Sequence, residues 1–269
     1  MTARQPSAPH VICSTVSVFS KPVAEAFAVV AAAGFEGIEV MVTGVQDTQD
    51  AGRLRELAAA HDLPVQAIHA PFLLTARKVW GTDPIAKIDR AIELAQDVGA
   101  GIVVVHPPYR WQSGYRRWLD EQLPHLAERT DVQVAVENMF PLRVRGRKVG
   151  TFHARQGLDD LERFPHVVLD TSHAAVAGLD LREVMTRMGP RLVHVHLSNN
   201  AGKGWDSHLP LDQGVLDLEA FLDALAGSGF TGTISLELDL RRYLADPEAL
   251  HDVLVGSREF CQRRLALPA

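Results

Sequence analysis

The sequence predicts a single (β/α)8 TIM barrel, an α/β fold that occupies residues 1–269 as one domain. Three observations predict it: eight short apolar runs rich in Val and Ile, amphipathic stretches that alternate with them, and a length of 269 residues without a domain linker. Such alternation is typical of βα units on a parallel sheet. About 250 residues suit one barrel, and eight runs favour closure over a doubly wound open sheet. Flexible ends are expected at 1–9 and 264–269.

The eight apolar runs are the predicted strands. They span 10–16, 37–42, 64–69, 101–106, 132–137, 166–170, 191–197 and 232–237. The helical stretches predicted between them include 23–33, 51–61, 84–98, 115–129, 180–188 and 217–227. Several helices are followed by a glycine, such as Gly34, Gly99 or Gly229, which suits a helix C-terminus. Two long connections, 138–156 and 198–215, are expected to carry function, since long loops in compact domains usually do.

Composition and charge narrow the class of protein. Apolar residues make up 46% of the chain and charged residues 22%, a globular balance. The net charge is -6, from 27 basic and 33 acidic residues. The chain as a whole therefore lacks the basic charge expected of a nucleic-acid-binding protein. Cys13 and Cys261 have no CxxC or zinc-finger spacing and are expected to be reduced and inert. Without an apolar signal segment or a membrane-length run, the chain is expected to be a cytoplasmic enzyme with no membrane partner.

Most predicted strands end in a residue that can bind a metal ion or move a proton. These residues are His69, His106, Glu137, Asp170, His196 and Glu237. Barrel active sites lie at the carboxyl-terminal rim, where strand ends converge, so these side chains are expected to meet. His173 in LDTSH, and Asp206 with His208 in WDSHL, extend the set to five imidazoles and four carboxylates.

Nine such ligands are too many for one metal ion, because a catalytic zinc takes three protein ligands and an open position. Carboxylates can bridge ions, so the set predicts about two or three of them. Imidazole and carboxylate without thiolate suit Zn²⁺, with Mn²⁺ or iron as alternatives. His194 shares a strand face with His196 and is predicted to lie one layer deeper, in the core or behind the ligands.

The motifs around these residues resemble those of a known family. HAPFLL, VVVHPP, VAVENM, VVLDTSHAAVAG, VHVHLSNN and DSHLPLDQG are similar, in order and spacing, to the metal motifs of the endonuclease IV family. That family belongs to the xylose isomerase-like TIM-barrel superfamily, which includes AP endonuclease family 2 and the sugar phosphate isomerases and epimerases. The similarity runs from about residue 65 to residue 240.

The resemblance implies a role for each ligand. Glu137 would bridge two ions, and His69 and His106 would hold the more open one. Asp170, His196 and Glu237 would complete the buried pair. The third ion would be held by His173, Asp206 and His208. Catalysis is assigned to Glu137, Glu237 and His173.

Two enzyme activities follow from this set, and a metal-storing barrel is a third, less favoured hypothesis. The first is a phosphoesterase, in which a multinuclear site activates water and holds a phosphate. The alternative is a sugar or sugar phosphate isomerase or epimerase that uses a single metal ion, with Glu137 and Glu237 as acid and base. The wider superfamily shares only the positions that match Glu137, Asp170, His196 and Glu237. The five further ligands have no role around a single ion, which favours the phosphoesterase.

Residues around the barrel mouth indicate the substrate. Phe72 and Leu73 resemble the aromatic-aliphatic pair that the endonuclease IV family inserts into DNA. The segment EVMVTGVQD, however, has no arginine where that family carries one, and offers Glu39 instead, as sugar-isomerase-like members do. Arg143, Arg145 and Arg147 lie in the connection after strand five and are expected to bind substrate together with Glu39 and Phe72. The predicted partner is a small phosphorylated or sugar-like substrate, with DNA disfavoured; the oligomeric state is not predicted.

Overall fold

The computed structural model of the chain describes residues 9–72, 76–144 and 147–266. The strands in these residues are β1 (His10–Ser14), β2 (Ile38–Met41), β3 (Val65–His69), β4 (Ile102–Val105), β5 (Gln133–Glu137), β6 (Leu142–Val144), β7 (Arg147–Gly150), β8 (Val167–Asp170), β9 (Leu192–Leu197) and β10 (Thr233–Leu236). The helices are α1 (Val23–Ala32), α2 (Ala51–His61), α3 (Pro84–Val98), α4 (Ser113–Glu121), α5 (Leu158–Leu161), α6 (Thr171–Ala177), α7 (Leu181–Met188), α8 (Leu218–Gly227) and α9 (Pro247–Leu265).

Eight parallel strands close into a barrel in the order β1-β10-β9-β8-β5-β4-β3-β2. Closure is made by β1, which pairs with β10 on one side and with β2 on the other. The predicted (β/α)8 TIM barrel is therefore confirmed, and each of the eight predicted strands is found with its ends shifted by no more than two residues. Among the described residues, no helix combines the length and the apolar content that a membrane crossing requires.

Aspartates define where many of the helices begin. Asp50, Asp83, Asp180, Asp217 and Asp246 each precede a helix, and each side chain accepts a hydrogen bond from a backbone N–H of the first turn. A cap of this kind stabilises a helix by about 1 kcal/mol, because it pairs an N–H that has no partner within the helix. These caps explain why the starts of α2, α3, α7 and α8 lie at or within one residue of the predicted positions.

The structure divides one predicted element and adds several others. The predicted helix 115–129 is divided into α4 and a 3-10 helix, Leu123–Glu128, because Pro124 lacks the N–H that a continuous helix requires. The connection 138–156 contains β6 and β7, which pair antiparallel as a separate two-stranded sheet. Helices α5, α6 and α9 also lie where no helix was predicted.

Helix α9 extends into the predicted flexible end at 264–269. Arg264 and Leu265 form the last turn of α9, and Arg264 makes ion pairs with Glu219 and Asp223. Residues 1–8 and 267–269, which make up most of the two predicted ends, lie outside the described residues.

The side chains inside the barrel change from apolar to polar along the barrel axis. A small apolar cluster of buried residues contains Ile12, Ala67, Ile102, Val104, Ala135, Val168 and Val193. Because side chains alternate along a strand, Ala135 and Val168 share their faces with Glu137 and Asp170, two positions later. Both of those carboxylates are buried, and buried charges need partners or metal ions. The polar layer above the apolar cluster therefore marks the functional end of the barrel.

The two cysteines are expected to be unreactive in the folded protein. Cys13 and Cys261 are buried, and burial raises the pKa of each thiol to about 12. Since the thiolate is the reacting species, we expect no reaction of the native protein with an aromatic disulfide reagent at pH 8. Two thiols per chain should react after unfolding in guanidinium. Rapid reaction of one thiol per chain in the native protein would contradict this prediction.

Candidate metal centre

The nine predicted ligands meet at the carboxyl-terminal mouth of the barrel. His69, Glu137 and Asp170 are the last residues of β3, β5 and β8, and His106 and Glu237 directly follow β4 and β10. Parallel strands bring these ends to one side of the barrel. The remaining ligands are His196 in β9, His173 in α6, and Asp206 and His208 in the loop after β9.

Glu137 lies at the centre of the cluster. Its Oε2 is 3.1 Å from Nε2 of His106 and 3.7 Å from Nε2 of His69. Its Oε1 is 3.1 Å from Nδ1 of His196 and 3.4 Å from Nδ1 of His173. Oε2 therefore faces the Nε2 atoms of His69 and His106, and Oε1 faces Nδ1 of His196 most closely. A bridging ligand requires different partners for its two oxygens in this way.

The second group of ligands surrounds His196 at the end of β9. Its Nδ1 lies 3.1 Å from Glu237 Oε2 and 3.9 Å from Asp170 Oδ2. Asp170 is held by Asn138, whose side chain exchanges hydrogen bonds of 2.6 and 3.0 Å with the Asp170 backbone. Its Oδ1 accepts from the His173 N–H at 2.7 Å and so caps α6. The same aspartate therefore starts the helix that carries His173 and points its other oxygen into the mouth.

The third group comes from the loop after β9. Asp206 Oδ2 lies 2.7 Å from Nε2 of His208 and 3.3 Å from Nε2 of His173. Ser172 donates a hydrogen bond of 2.6 Å to Asp206 Oδ1, which fixes the carboxylate. His208 has a φ of 40°, a left-handed conformation that is uncommon for histidine. Backbone strain of this kind persists where the surroundings over-determine it, and it clusters at functional sites.

A close backbone approach anchors the same loop. Asn199 and Leu209 exchange backbone hydrogen bonds of 2.8 Å, and the Asn199 side chain accepts from the Leu216 N–H. A Cβ atom at Gly214 would lie 2.3 Å from the Asn199 Oδ1, so only glycine fits there. The loop that carries Asp206 is therefore tied at several points to the end of β9.

The imidazoles are oriented by hydrogen bonds on their outward side. Nδ1 of His69 lies 3.1 Å from the carbonyl oxygen of the next residue. Nδ1 of His173 lies 2.9 Å from the carbonyl of Asn138, and Nδ1 of His208 lies 3.1 Å from that of Glu237. These contacts assign the proton to Nδ1 and leave Nε2 free to bind an ion, as metal-binding histidines require.

Three buried carboxylate oxygens that have no hydrogen-bond partner in the described part of the chain indicate that the residues fit divalent ions. Glu137 Oε2, Asp170 Oδ2 and Glu237 Oε2 are buried, and none has a hydrogen-bond partner in the described residues. The short contact of Glu137 Oε2 with His106 lacks hydrogen-bond geometry. An unsatisfied buried oxygen costs about 1–3 kcal/mol, and more when it is charged. All three belong to predicted ligands and face the mouth, so a cation there would satisfy them.

The ligand atoms are also close enough to share ions. Possible donor atoms lie within 4.8 Å of one another in three groups of the mouth. The groups are His69–His106–Glu137, Glu137–Asp170–His196 and Asp170–His173–Asp206–His208. Glu137 and Asp170 each belong to two of them. The nitrogen and oxygen donors, without a thiolate, suit Zn²⁺, Mn²⁺ or iron.

The electrostatics show how strongly these groups interact. Burial would lower the pKa of His208, but Asp170 and Asp206 raise it to about 10. Burial raises the pKa of Asp170 to about 6, although His173 and His208 oppose the shift. Protons in the metal-free chain therefore occupy positions that ions would take. Metal binding is expected to release them, so metal affinity should fall as the pH is lowered.

Glu39 lies behind this cluster rather than in the mouth. Its side chain has no exposed surface and lies 2.7 Å from Nε2 of His194 and 3.2 Å from Nε2 of His196. Burial would raise the pKa of Glu39, but the two histidines hold it well below its usual range. This position does not support the prediction that Glu39 binds substrate, because its carboxylate is already in contact with the two imidazoles. It agrees with the predicted deeper position of His194.

The other predicted substrate-binding residues are only partly described. Phe72 is buried; its ring stacks on that of Tyr115 at 5.5 Å and lies tilted to that of His106 at 6.3 Å. Leu73 and Arg145 lie outside the described residues. Only the backbone is described for Arg143 and Arg147, which lie in β6 and β7.

A cavity of about 650 Å³ adjoins the mouth next to Phe72. It is lined on one side by Tyr109 and Trp111, whose rings stack at 4.9 Å with an angle of 3° between them. Trp111 is 64% exposed. Exposed aromatic surface beside a site commonly marks a place where a ligand binds.

Lys87 in this cavity was not predicted from the sequence. It is buried in α3, and its Nζ donates hydrogen bonds of 2.8 and 3.0 Å to the carbonyls of Pro71 and Ala76. It thereby holds both ends of the segment that carries Phe72. The signal was a lysine beside Ile88 in the apolar stripe of a strongly amphipathic helix, where a charged residue needs partners.

Comparisons with known proteins agree with this architecture. A family model described as a xylose isomerase-like TIM barrel matches residues 27–255. An uncharacterized protein of Mycobacterium tuberculosis is 38% identical over 244 residues, which cover 84% of this chain and 87% of the relative. A probable endonuclease 4 of Mycobacterium leprae is 31% identical over 227 residues, which cover 74% of this chain and 85% of the relative.

Solved structures match the fold over nearly the whole chain. A D-tagatose 3-epimerase-like protein superposes with a TM-score of 0.68 at 20% identity, covering 96% of this chain and 100% of the other. An AP endonuclease of family 2 from Brucella melitensis superposes with a TM-score of 0.66 at 21% identity, covering 87% and 94%. At these identities the likeness shows the fold alone. With its barrel and the match to the family model, the chain belongs to the xylose isomerase-like TIM barrel family.

Proposed function

We propose that the chain is a divalent-metal-dependent phosphoesterase of endonuclease IV type, with about two or three ions, predominantly zinc. Its substrate would be a small phosphorylated or sugar-like compound. One observation carries the proposal: Glu137 contacts His69 and His106 through one oxygen and His196 through the other. A single ion at the barrel centre leaves no role for imidazoles on both sides of that carboxylate.

The residues of this chain would each have a defined part in the reaction. Glu137 would hold two ligand groups at a fixed separation, and Ser172 would keep Asp206 oriented. The carbonyl contacts of His69, His173 and His208 would prevent their rings from turning. Ions bound there supply a Lewis acid for the phosphoryl oxygens and an activated water for the attack. A separate protein base is then not required.

The name of one relative supports the same reaction class. The mycobacterial protein that is 31% identical over 227 residues is named a probable endonuclease 4. The net charge of -6 is unfavourable for binding a DNA duplex, whose affinity depends largely on neutralised phosphates. We therefore propose a small phosphoester bound between the ligands and the cavity next to Phe72.

An isomerase or epimerase is the second candidate, and one observation favours it. Nδ1 of His196 lies 3.1 Å from both Glu137 Oε1 and Glu237 Oε2, so two carboxylates flank one position in the mouth. An acid and a base that act on a sugar carbon need this arrangement. Epimerases are also among the proteins with similar folds. Under this alternative one ion suffices, and Asp206 and His208 have no assigned role.

A side-by-side assay tests the proposal. Metal-loaded protein would be offered small phosphodiesters, phosphorylated ketoses and a duplex with an abasic site. We expect phosphate ester cleavage of a small compound and weak incision of the duplex. Strong incision that falls steeply with salt would make DNA the substrate instead. Proton exchange at a ketose carbon without phosphate release would establish the epimerase and reject the phosphoesterase.

Trp111 is expected to contribute to substrate binding rather than to the chemical step. Trp111→Ala removes the exposed half of the stack with Tyr109, and an aromatic contact is worth about 0.5–1.5 kcal/mol. We expect KM to rise by about 3- to 10-fold with kcat little changed. Phe230→Ala, at the opposite end of the barrel, is the control and should leave KM unaltered. An equal fall in kcat would contradict a role confined to binding.

A further inference from the structure

Three fully buried side chains form a connected group beneath the mouth. Glu39 in β2, together with His194 and His196 in β9, has no exposed surface. The carboxylate of Glu39 lies 2.7 Å from Nε2 of His194 and 3.2 Å from Nε2 of His196. Ser14 donates a further, longer hydrogen bond of 3.4 Å to Glu39 Oε1. The carboxylate is therefore held from several sides.

His196 connects this group to the ligands above it. Its Nε2 faces Glu39, while its Nδ1 faces Glu137 and Glu237, each at 3.1 Å. An imidazole carries one proton when neutral, and it is found on the nitrogen that has an acceptor and no cation. With Glu39 as that acceptor, Nδ1 is the nitrogen left for an ion.

The partner of His196 differs in kind from those of the other ligands. The outward nitrogens of His69, His173 and His208 contact backbone carbonyls. That of His196 contacts a carboxylate, which is a stronger acceptor and makes the ring a more basic ligand. The ion beside Glu137 and Glu237 would feel this difference most.

Stability alone does not account for a carboxylate at this depth. Replacing a buried ion pair by apolar residues is often neutral or stabilising, because desolvation offsets the attraction. The barrel could have closed with an apolar residue at this position of β2, as Ala67, the register partner of Glu39 in β3, illustrates. A charged group kept here needs another reason.

We infer that Glu39 is the positioning residue of the metal centre: it fixes His196 with its proton on Nε2, so that Nδ1 binds an ion, and His194 holds Glu39 in place. This inference rests on the proposed multinuclear site. It assigns a role to Glu39 and His194 that neither has as a ligand or as a substrate contact.

The test is Glu39→Gln, which preserves size and removes the charge. Its amide nitrogen can donate to Nε2 of His196 and so favour a proton on Nδ1. We expect the zinc content to fall by about one ion per chain, with about 10- to 100-fold weaker affinity in competition with a chelator. Glu36→Gln is the matched control, since it breaks an exposed Glu–His pair of 3.2 Å with His10. That variant should retain zinc like the wild type.

His194 provides a second pair of variants. His194→Gln keeps a donor for Glu39 and should retain zinc, whereas His194→Phe removes the donor and should weaken retention in the same direction as Glu39→Gln. Nitrogen-15 spectra of zinc-loaded, histidine-labelled protein read the tautomer without an activity assay. We expect one imidazole with zinc on Nδ1 and a proton on Nε2, and the loss of that signal in Glu39→Gln.

The outcomes separate this inference from the proposed function. A wild-type chain that takes up no divalent ion overturns both. A wild type that binds several ions and a Glu39→Gln variant that binds them equally well overturn the role of Glu39 alone. Uniform loss of all ions, with a lower melting temperature, would make Glu39 a structural residue and also overturn the inference.

Discussion

Glu137→Gln is expected to remove ions from two of the three ligand groups and to lower turnover by at least about 10³-fold. The magnitude follows because a metal ion contributes several kcal/mol to the transition state and each 1.36 kcal/mol is tenfold. The two oxygens of Glu137 face different imidazoles, one of them His106 and His69, the other His196. An amide has one oxygen and no charge, so it cannot bridge them.

The measurements are metal content by plasma mass spectrometry and turnover of whichever substrate the assay identifies. Zinc should also raise the melting temperature of the wild type more than that of the variant, because binding stabilises the folded state by mass action. Glu128→Gln, an exposed carboxylate beside His125, is the control for the chemical change. A Glu137→Gln protein that retains the full ion count would show that Glu137 bridges nothing.

The barrel could be predicted because each strand is encoded by a short, local sequence pattern. Each barrel strand is a short run of Val, Ile and similar residues, and each run is bounded by turns or by a helix, so periodicity located all eight. The buried residues of the last helix, Leu250, Leu254, Ser257 and Cys261, recur at helical spacing, but only two of the four are strongly apolar, so the stripe was not recognised. The clearest signal of that helix was Asp246 followed by Pro247, a capping residue and a proline at the first helical position.

The ligand set could be predicted for a similar reason. A residue that ends a barrel strand must lie at the mouth, whatever its distance in sequence from the others. Depth could not be predicted in the same way. Glu39 lies two residues before the end of its strand, and β2 shifts register against β3 between Ile38 and Glu39. That irregularity, together with contacts to β9, decides which layer the side chain occupies.

In the loop after β9, the ligand residues could be predicted from the local sequence, but their geometry depends on residues elsewhere in the chain. Asp206 and His208 were recognised by their motif. Their geometry depends on Ser172 in α6 and on Asn199, which no local pattern connects to them. A left-handed histidine can be tolerated only because these contacts hold the backbone around it.

Asp206→Asn and His208→Asn are expected to distinguish the two candidate enzymes. Asparagine at 206 retains an acceptor for Ser172 and loses the charge. Asparagine at 208 tolerates the φ of 40° better than most residues. If the protein is a phosphoesterase, each variant should lose about one ion per chain. Turnover should then fall on the order of 10²-fold or more, because a metal ion contributes several kcal/mol to transition-state stabilisation.

As a single-ion epimerase, the same variants should keep one ion and most of their activity, because neither residue belongs to the group around Glu137, Asp170 and His196. Asp212→Ala is the control: it removes an exposed carboxylate from the same loop and should leave the ion count unchanged. Metal counting and turnover on the same preparations decide between the candidates. A wild type with several ions, reduced by one in both variants and not in the control, would establish the third ligand group. An ion count of one, unchanged throughout, would reject the multinuclear site and leave Glu137 and Glu237 as the acid and base.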